Sequence, residues 1–212
     1  TLHDLGELDK ARAAFERALA LDEVALGPDH PDTIRDLNNL GIVLHAQGRL
    51  AAARATFERV LDTLDQAQMR DHLLAAAASG NLGSVLYSQD ELEQAGAAFE
   101  RALAVSERIY GPQHVSSAVH ARHLAAVLRE QGALDAARTA YEHALAALER
   151  VFGSEDAQVA MVANELGCVL RDLGHLDAAR AAFRRALNIL RLVPGYQPQR
   201  RQARRNLRAL DE

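Results

Sequence analysis

Apolar residues recur along this chain at three- and four-residue steps, the spacing that gathers them on one face of an α-helix. Leu37, Leu40, Gly41 and Leu44 share such a face in a helix expected from about Asp32 to Ala46. Leu50, Ala53, Phe57, Val60, Leu61 and Leu64 share another in the helix that follows. Gly48 stands between them, where a helix stops at a left-handed residue. This pair is the unit of a longer pattern. Leu8, Leu50, Leu92, Leu134 and Leu176 lie 42 residues apart, as do Phe15, Phe57, Phe99, Tyr141 and Phe183. Gly6, Gly48, Gly132 and Gly174 keep the same register, with Asp90 in the remaining place. Leu40, Leu82, Leu124 and Leu166 mark the first helix of each pair; glycine follows three of them and Ala125 the other. A lone helix pair cannot bury its apolar faces, so the units are expected to stack as an all-α solenoid.

The connections carry their own signals. Gly27-Pro28-Asp29-His30-Pro31 stops one helix and starts the next, and Gly111-Pro112-Gln113-His114 and Gly153-Ser154-Glu155-Asp156 are variants of it. Asp65 to His72 lacks Gly and Pro, so the helix before it is expected to run on by a turn. Units are placed at about 1–31, 32–73, 74–115, 116–157 and 158–197, with a cap helix in 198–212. The register puts residue 1 near the end of a first helix. The second helix, about Glu7 to Leu26, is therefore expected to lack its partner, as in a fragment of a longer protein. Val193 to Pro198 breaks the fifth unit, and Gln199 to Leu210 forms one more helix with Asn206-Leu207 one residue off register. Its arginines suit a polar cap. The third unit, with Asp90 for Gly and with Gly96 inside its second helix, is expected to be the softest; a helical Gly costs about 1 kcal/mol relative to Ala.

Composition narrows the function. Aromatics are 4% and Trp is absent, which opposes a β-sandwich or barrel. A net charge of −5 gives no global case for nucleic-acid binding. No apolar run is long enough for a transmembrane span, so no membrane partner is expected. Cys168 is the single cysteine, so no internal disulfide forms, in keeping with a cytoplasmic setting. Phosphate-binding glycine loops, Gly-x-Ser-x-Gly and His-Glu-x-x-His are missing, so neither an enzyme nor a cofactor is expected. His30, His72 and His114 recur a full unit apart, too far to share a metal ion, and are read as loop or helix-start residues. His120 and His123 have permissible metal spacing, but no further ligand completes a site. Cys168 is read as a small packing residue.

Leu40-Gly41, Leu44, Gly48, Ala53 and Phe57 resemble the tetratricopeptide repeat pattern. The 42-residue unit, the Asn38-Asn39-Leu40-Gly41 stretch and the Gly-Pro-Asp-His-Pro loop resemble the longer repeats of kinesin light chains, and similar repeats occur in bacterial signalling proteins. The resemblance implies a right-handed superhelix of about five units plus a C-terminal capping helix. It further implies a non-enzymatic scaffold or sensor region of a larger signalling protein, with a concave groove of first helices that takes a protein or peptide segment. The matching groove residues are Arg35, Asn38, Asn39, Ile42 and His45, then Asn81, Ser84 and Tyr87. Next come Arg122, His123 and Arg129, then Asn164, Glu165, Cys168 and Arg171, and finally Gln202, Arg205 and Asn206. Asn39 and Asn81 can pair with a peptide backbone. Arg35, Arg122, Arg129, Arg171 and Arg205 are expected to give a basic cast, offset in part by Glu130, Glu165 and Asp172, which points to an acidic or C-terminal peptide. The alternative is a regulatory solenoid that packs on its own effector domain or self-associates through its N-terminal end.

Overall fold

The computed structural model describes residues 2–210, with side chains from residue 6 onward. Ten α-helices and no strands occur among the described residues. They are α1 (Leu2–Ala25), α2 (Pro31–Ala46), α3 (Leu50–Gln66), α4 (Leu73–Ser88), α5 (Leu92–Tyr110), α6 (Val115–Glu130), α7 (Leu134–Phe152), α8 (Ala157–Asp172), α9 (Leu176–Leu192) and α10 (Gln197–Arg208). The chain forms two compact halves, one up to Ile109 and one from Tyr110. In the N-terminal half α1 packs on α2, α2 on α3 and α3 on α4; in the C-terminal half α6 packs on α7, α7 on α8, α8 on α9 and α9 on α10. Within each half this is the stacking of an all-α helical-repeat solenoid.

The 42-residue pattern corresponds to one contact made in each repeat. A Cβ placed on Gly41 would sit 2.6 Å from Phe57 Cε1; on Gly83, 2.9 Å from Phe99; on Gly167, 2.6 Å from Phe183. In these three repeats the first helix thus lays bare backbone against the ring of its second helix, and Phe57, Phe99 and Phe183 are buried. Around the second repeat, Ile34, Leu37, Val60, Leu61 and Leu64 join Leu19 of the preceding helix and Leu74, Ala75 and Ala78 of the next in one apolar cluster. The core is therefore shared between neighbours, as the stacking argument requires.

Local chemistry sets the helix ends. Gly48, Gly132 and Gly174 have φ between 71° and 79°, and Asp90 takes the same left-handed conformation at 64°. There the amides of Arg49, Glu91, Ala133 and His175 donate to the carbonyls of Leu44, Leu86, Leu128 and Leu170 at 2.8–2.9 Å, closing the same C-terminal motif four times. At the other end His30, His72 and His114 are N-caps: each Nδ1 accepts the amide two residues on, at 3.1–3.2 Å. Asp156 does the same for α8 at 2.7 Å. The histidine periodicity thus marks helix starts.

Three boundaries differ from expectation. Gly6 lies within α1, which begins at Leu2 and runs on as one helix instead of turning before Glu7. A glycine with helical neighbours is not obliged to take a left-handed φ; it only permits one. The helix before Asp65–His72 does not run on: α3 ends at Gln66, two register positions short of α5 and α7. Gln68 adopts φ 58° and the Met69 amide donates to Leu64 at 2.7 Å, so a non-glycine residue closes this turn. The last helix starts at Gln197, slightly before the expected Gln199.

The third repeat carries two internal defects. Ser79 and Ser106 are fully buried, and their hydroxyls have no hydrogen-bond partner among the described atoms. Ser106 occupies the register position that Leu64, Leu148 and Leu190 fill elsewhere.

These contacts predict opposite effects for two alanine substitutions, read as shifts of the urea midpoint by circular dichroism. Gly41→Ala pushes a Cβ into the Phe57 ring and lowers stability by about 1–3 kcal/mol. Ser79→Ala removes an orphaned hydroxyl and raises it by about 1 kcal/mol.

Candidate functional site

The expected site residues lie on first helices, and they are joined by a repeated geometry. A residue at one register position of a first helix bonds to the residue 43 places on, across to the next first helix. In the N-terminal half the Asn81 amide donates to Asn38 Oδ1 at 3.1 Å, and His45 Nε2 lies 3.3 Å from Ser88 Oγ. In the C-terminal half Arg122 grips Glu165 with Nε at 2.7 Å and Nη2 at 2.5 Å. Arg129 Nε donates to Asp172 Oδ2 at 2.7 Å. The last rung has a spacing of 42: Asn206 Nδ2 donates to Asn164 Oδ1 at 3.0 Å. That shorter spacing is the one-residue register slip of α10 and shows which residue stands in for Asn39 and Asn81. Asn39 is half-buried beside these rungs.

These pairs change the electrostatics expected of the surface. Arg122 and Arg129 are committed to carboxylates, and both pairs are about two-thirds buried. The Glu165 hydrogen bonds lead the causes that raise the Arg122 pKa. Arg171 turns to the adjacent Asp172 at 3.0 Å, and Arg35 bonds Asp32 at 2.5 Å with Asp36 at 3.6 Å. Arg205 donates to Gln202 at 2.5 Å. The basic cast is thereby neutralised at Arg35, Arg122, Arg129 and Arg171. The residue spacing held the signal: two arginines each stand 43 places before a carboxylate, whereas the sequence pattern was read at 42.

The chemically reactive residues are subdued. Burial raises the Cys168 thiol pKa, and Asn206 Nδ2 donates to the sulfur at 3.4 Å. Burial also lowers His123, with the Arg122 charge adding to it. Tyr141, from the second helix of its repeat, is buried with its pKa raised by desolvation and by Glu165. Among the described residues, no group of three His, Cys, Asp or Glu side chains is arranged to hold a metal ion.

On the first helices the exposed large apolar side chains, Ile42, Leu73 and Tyr87, lie in the N-terminal half. Ile42 is 45% exposed and Tyr87 37% exposed, flanking the His45–Ser88 rung. In the C-terminal half a cleft of 280 Å³ is walled by the Arg122–Glu165 pair, Asn164, Gln199 and Gln202, with Met161 and Leu190 behind.

Residues 1–66, 73–149 and 116–191 each match the family model described as Tetratricopeptide repeat. The chain belongs to the tetratricopeptide repeat family. In general this is a fold for binding other proteins without catalysis. Solved structures share its architecture. BtubC (BKLC) from P. vanneervenii superimposes with a TM-score of 0.80 at 21% identity, over 96% of this chain and 82% of that one. A Podosopora anserina putative kinesin light chain with nearly identical TPR-like repeats gives a TM-score of 0.74 at 18% identity, over 88% and 89%. MamA gives 0.63 at 22% identity, over 89% and 92%. No curated protein sequence matches the chain at a significant level. Among the described residues no helix is long and apolar enough to cross a membrane.

The tetratricopeptide surface also predicts a pH response. Burial pulls the His120 imidazole down to about 4, and the charge of His123 adds to the shift. An unfolded histidine protonates near 6.5, so the unfolded chain binds the extra proton first as the pH falls. The stability tied to neutral His120 is complete above about pH 6.5 and is lost as the pH drops toward 4. Urea midpoints at pH 7.5 and 4.5 should fall by roughly 2–3 kcal/mol more in the wild type than in His120→Asn; equal slopes would remove the assignment.

Proposed function

We propose that the first-helix face of each half docks a protein or peptide segment, so that the chain serves as a cytoplasmic scaffold or as the sensor region of a larger signalling protein. The observation that carries this reading is the pair of exposed apolar side chains, Ile42 and Tyr87, set among polar rungs on the N-terminal face. An aromatic ring of low side-chain entropy, ringed by groups that still offer hydrogen bonds, is the composition of an interface anchor. In the Asn38–Asn81 pair Asn38 is buried, while half-buried Asn81 spends one amide donor and keeps its carbonyl oxygen to meet a peptide backbone. Because Arg122 and Arg129 already hold carboxylates, an acidic peptide on the C-terminal face has to displace Glu165 and Asp172. Ligand choice on these faces therefore rests on apolar and amide contacts, and His45, His123, Asn164 and Arg171 frame them without supplying surplus charge, whereas Arg205 bonds only the Gln202 amide oxygen among the described residues. The reading includes no cofactor, no metal and no catalytic step.

The alternative of packing against another domain, or of self-association, draws on Leu21 and Val24. These side chains of α1 are 70% and 89% exposed. Light scattering over a range of concentrations, with Leu21→Ser and Val24→Ser, separates a monomer from an assembly formed through α1.

For the main reading, peptides selected from a random display library should bind near micromolar, about −8 kcal/mol. Ile42→Ala with Tyr87→Ala should weaken them by tenfold or more in fluorescence anisotropy, while Val24→Ala leaves them unchanged. Peptides indifferent to both Ile42 and Tyr87 would place binding elsewhere.

A further inference from the structure

Helix α10 departs from the repeat in one consistent way. Allowing for its one-residue slip, Arg201, Arg204 and Arg208 stand at the register positions of Ile34, Leu37 and Gly41, which are buried in α2. In α8 the same positions are Ala160, Ala163 and Gly167, also buried. These three arginines are exposed, so a face that elsewhere packs against a second helix is here covered with guanidinium groups. With Pro198 and Arg205 they line a cleft of 510 Å³ that has no carboxylate among these lining residues. Five of the twelve residues of α10 are arginine and none is acidic. Asp211 and Glu212 follow in sequence and lie outside the described residues, and they leave arginine in excess, five against two.

A polar cap explains why these positions are hydrophilic, but it does not explain why they carry a single sign. Several exposed arginines elsewhere sit beside acids: Arg35 with Asp32, Arg59 with Glu23, Arg108 with Asp71. Like charges three and four residues apart on a helix repel. Arg205 adds a geometric clue, because it occupies the register position of Arg122. In α6 that position takes a carboxylate from the next first helix, Glu165, in a two-pronged grip. No described helix follows α10, and Arg205 bonds only the amide oxygen of Gln202 among the described residues.

We propose that the arginine face of α10 is a docking site for an acidic segment of a partner protein, whose carboxylates complete the rung that Arg205 begins and neutralise Arg201, Arg204 and Arg208. A protein carboxylate fits better than nucleic acid. The face carries no aromatic ring on which a base could stack, the chain as a whole is acidic, and the guanidinium fork already selects a carboxylate at the matching position in α6. This site shares Arg205 with the first-helix face of the C-terminal half but does not depend on Ile42 or Tyr87.

The test uses the full chain and a fluorescein-labelled octaglutamate peptide, with octaglutamine and an oligothymidylate of equal charge as comparisons, read by anisotropy at low and moderate salt. Octaglutamate should bind, octaglutamine should not, and binding should weaken as salt rises. Arg201→Gln, Arg204→Gln and Arg208→Gln together should weaken octaglutamate by tenfold or more, with the helical circular dichroism unchanged. Removing three other exposed arginines (Arg17→Gln, Arg49→Gln, Arg184→Gln) should change it by less than twofold, as should Ile42→Ala with Tyr87→Ala. Three results would overturn the proposal: no octaglutamate binding at millimolar concentration, equal losses in both triple variants, or oligothymidylate binding tighter than octaglutamate through the same arginines. A loss confined to the α10 variant supports it even where the first-helix reading fails.

Discussion

Everything in this structure depends on how closely two helices of one repeat can approach. At Gly41, Gly83 and Gly167 the first helix has no side chain, and a phenyl ring from the second helix occupies the space a Cβ would need. The ring is then close enough to the backbone to be fully buried in a module of only two helices. Dispersion at this range falls away steeply with distance, so the glycine and the ring are selected together. In the fourth repeat Ala125 and Tyr141 fill the two places, and the ring carries a hydroxyl that is itself buried. The contact is local to each repeat, which is why the same residues can recur at 42 without regard to what lies further along.

Stacking demands a second kind of interaction, because neighbouring first helices meet through their polar sides. The rungs at a spacing of 43 meet this need with interchangeable chemistry: two amides, an imidazole and a hydroxyl, or a guanidinium and a carboxylate. The second helices show a parallel device at a spacing of 36, in Arg59 with Glu23, Arg101 with Asp65 and Arg185 with Glu149. Exposed pairs of this kind contribute little each. Their consequence is for recognition: charge within a repeat array is largely cancelled between neighbours, so a charge count over one face overstates the field a ligand meets.

This accounts for what the sequence disclosed and what it did not. Periodicity, the glycine stops and the aromatic series are intra-repeat features and appear directly in one chain, so helix order, the fold and the histidine helix starts were all legible. The partnering of Arg122 and Arg129 was harder to see, because a rung joins unlike positions in successive repeats and a search at 42 aligns like with like. Gly6 misled for a related reason: identity at a register position establishes that glycine is permitted there, whereas the left-handed turn needs a following helix end to be closed. Asp90 shows the converse, since it holds the turn at φ 64° without being glycine. The short end of α3 lay beyond sequence reasoning because Gln68 is not a residue that advertises a left-handed conformation.

Helix α10 follows from the same logic. In the C-terminal half α8 joins rungs on both sides: its Glu165 and Asp172 accept from Arg122 and Arg129 of α6, and its Asn164 accepts from Asn206 of α10. Asn206 of α10 donates to Asn164 of α8 as its register dictates, and Arg205 occupies the position that Arg122 holds in α6. Meanwhile the positions that would seat a second helix have become Arg201, Arg204 and Arg208. The substitution removes apolar surface that would invite another repeat and replaces it with charge that a repeat of this type could not bury unpaired. Arginine at these positions disfavours a further helix of this type packed there, while Arg205 is left with only the Gln202 amide oxygen among the described residues, so the face that departs from the repeat is also a face of uncancelled charge.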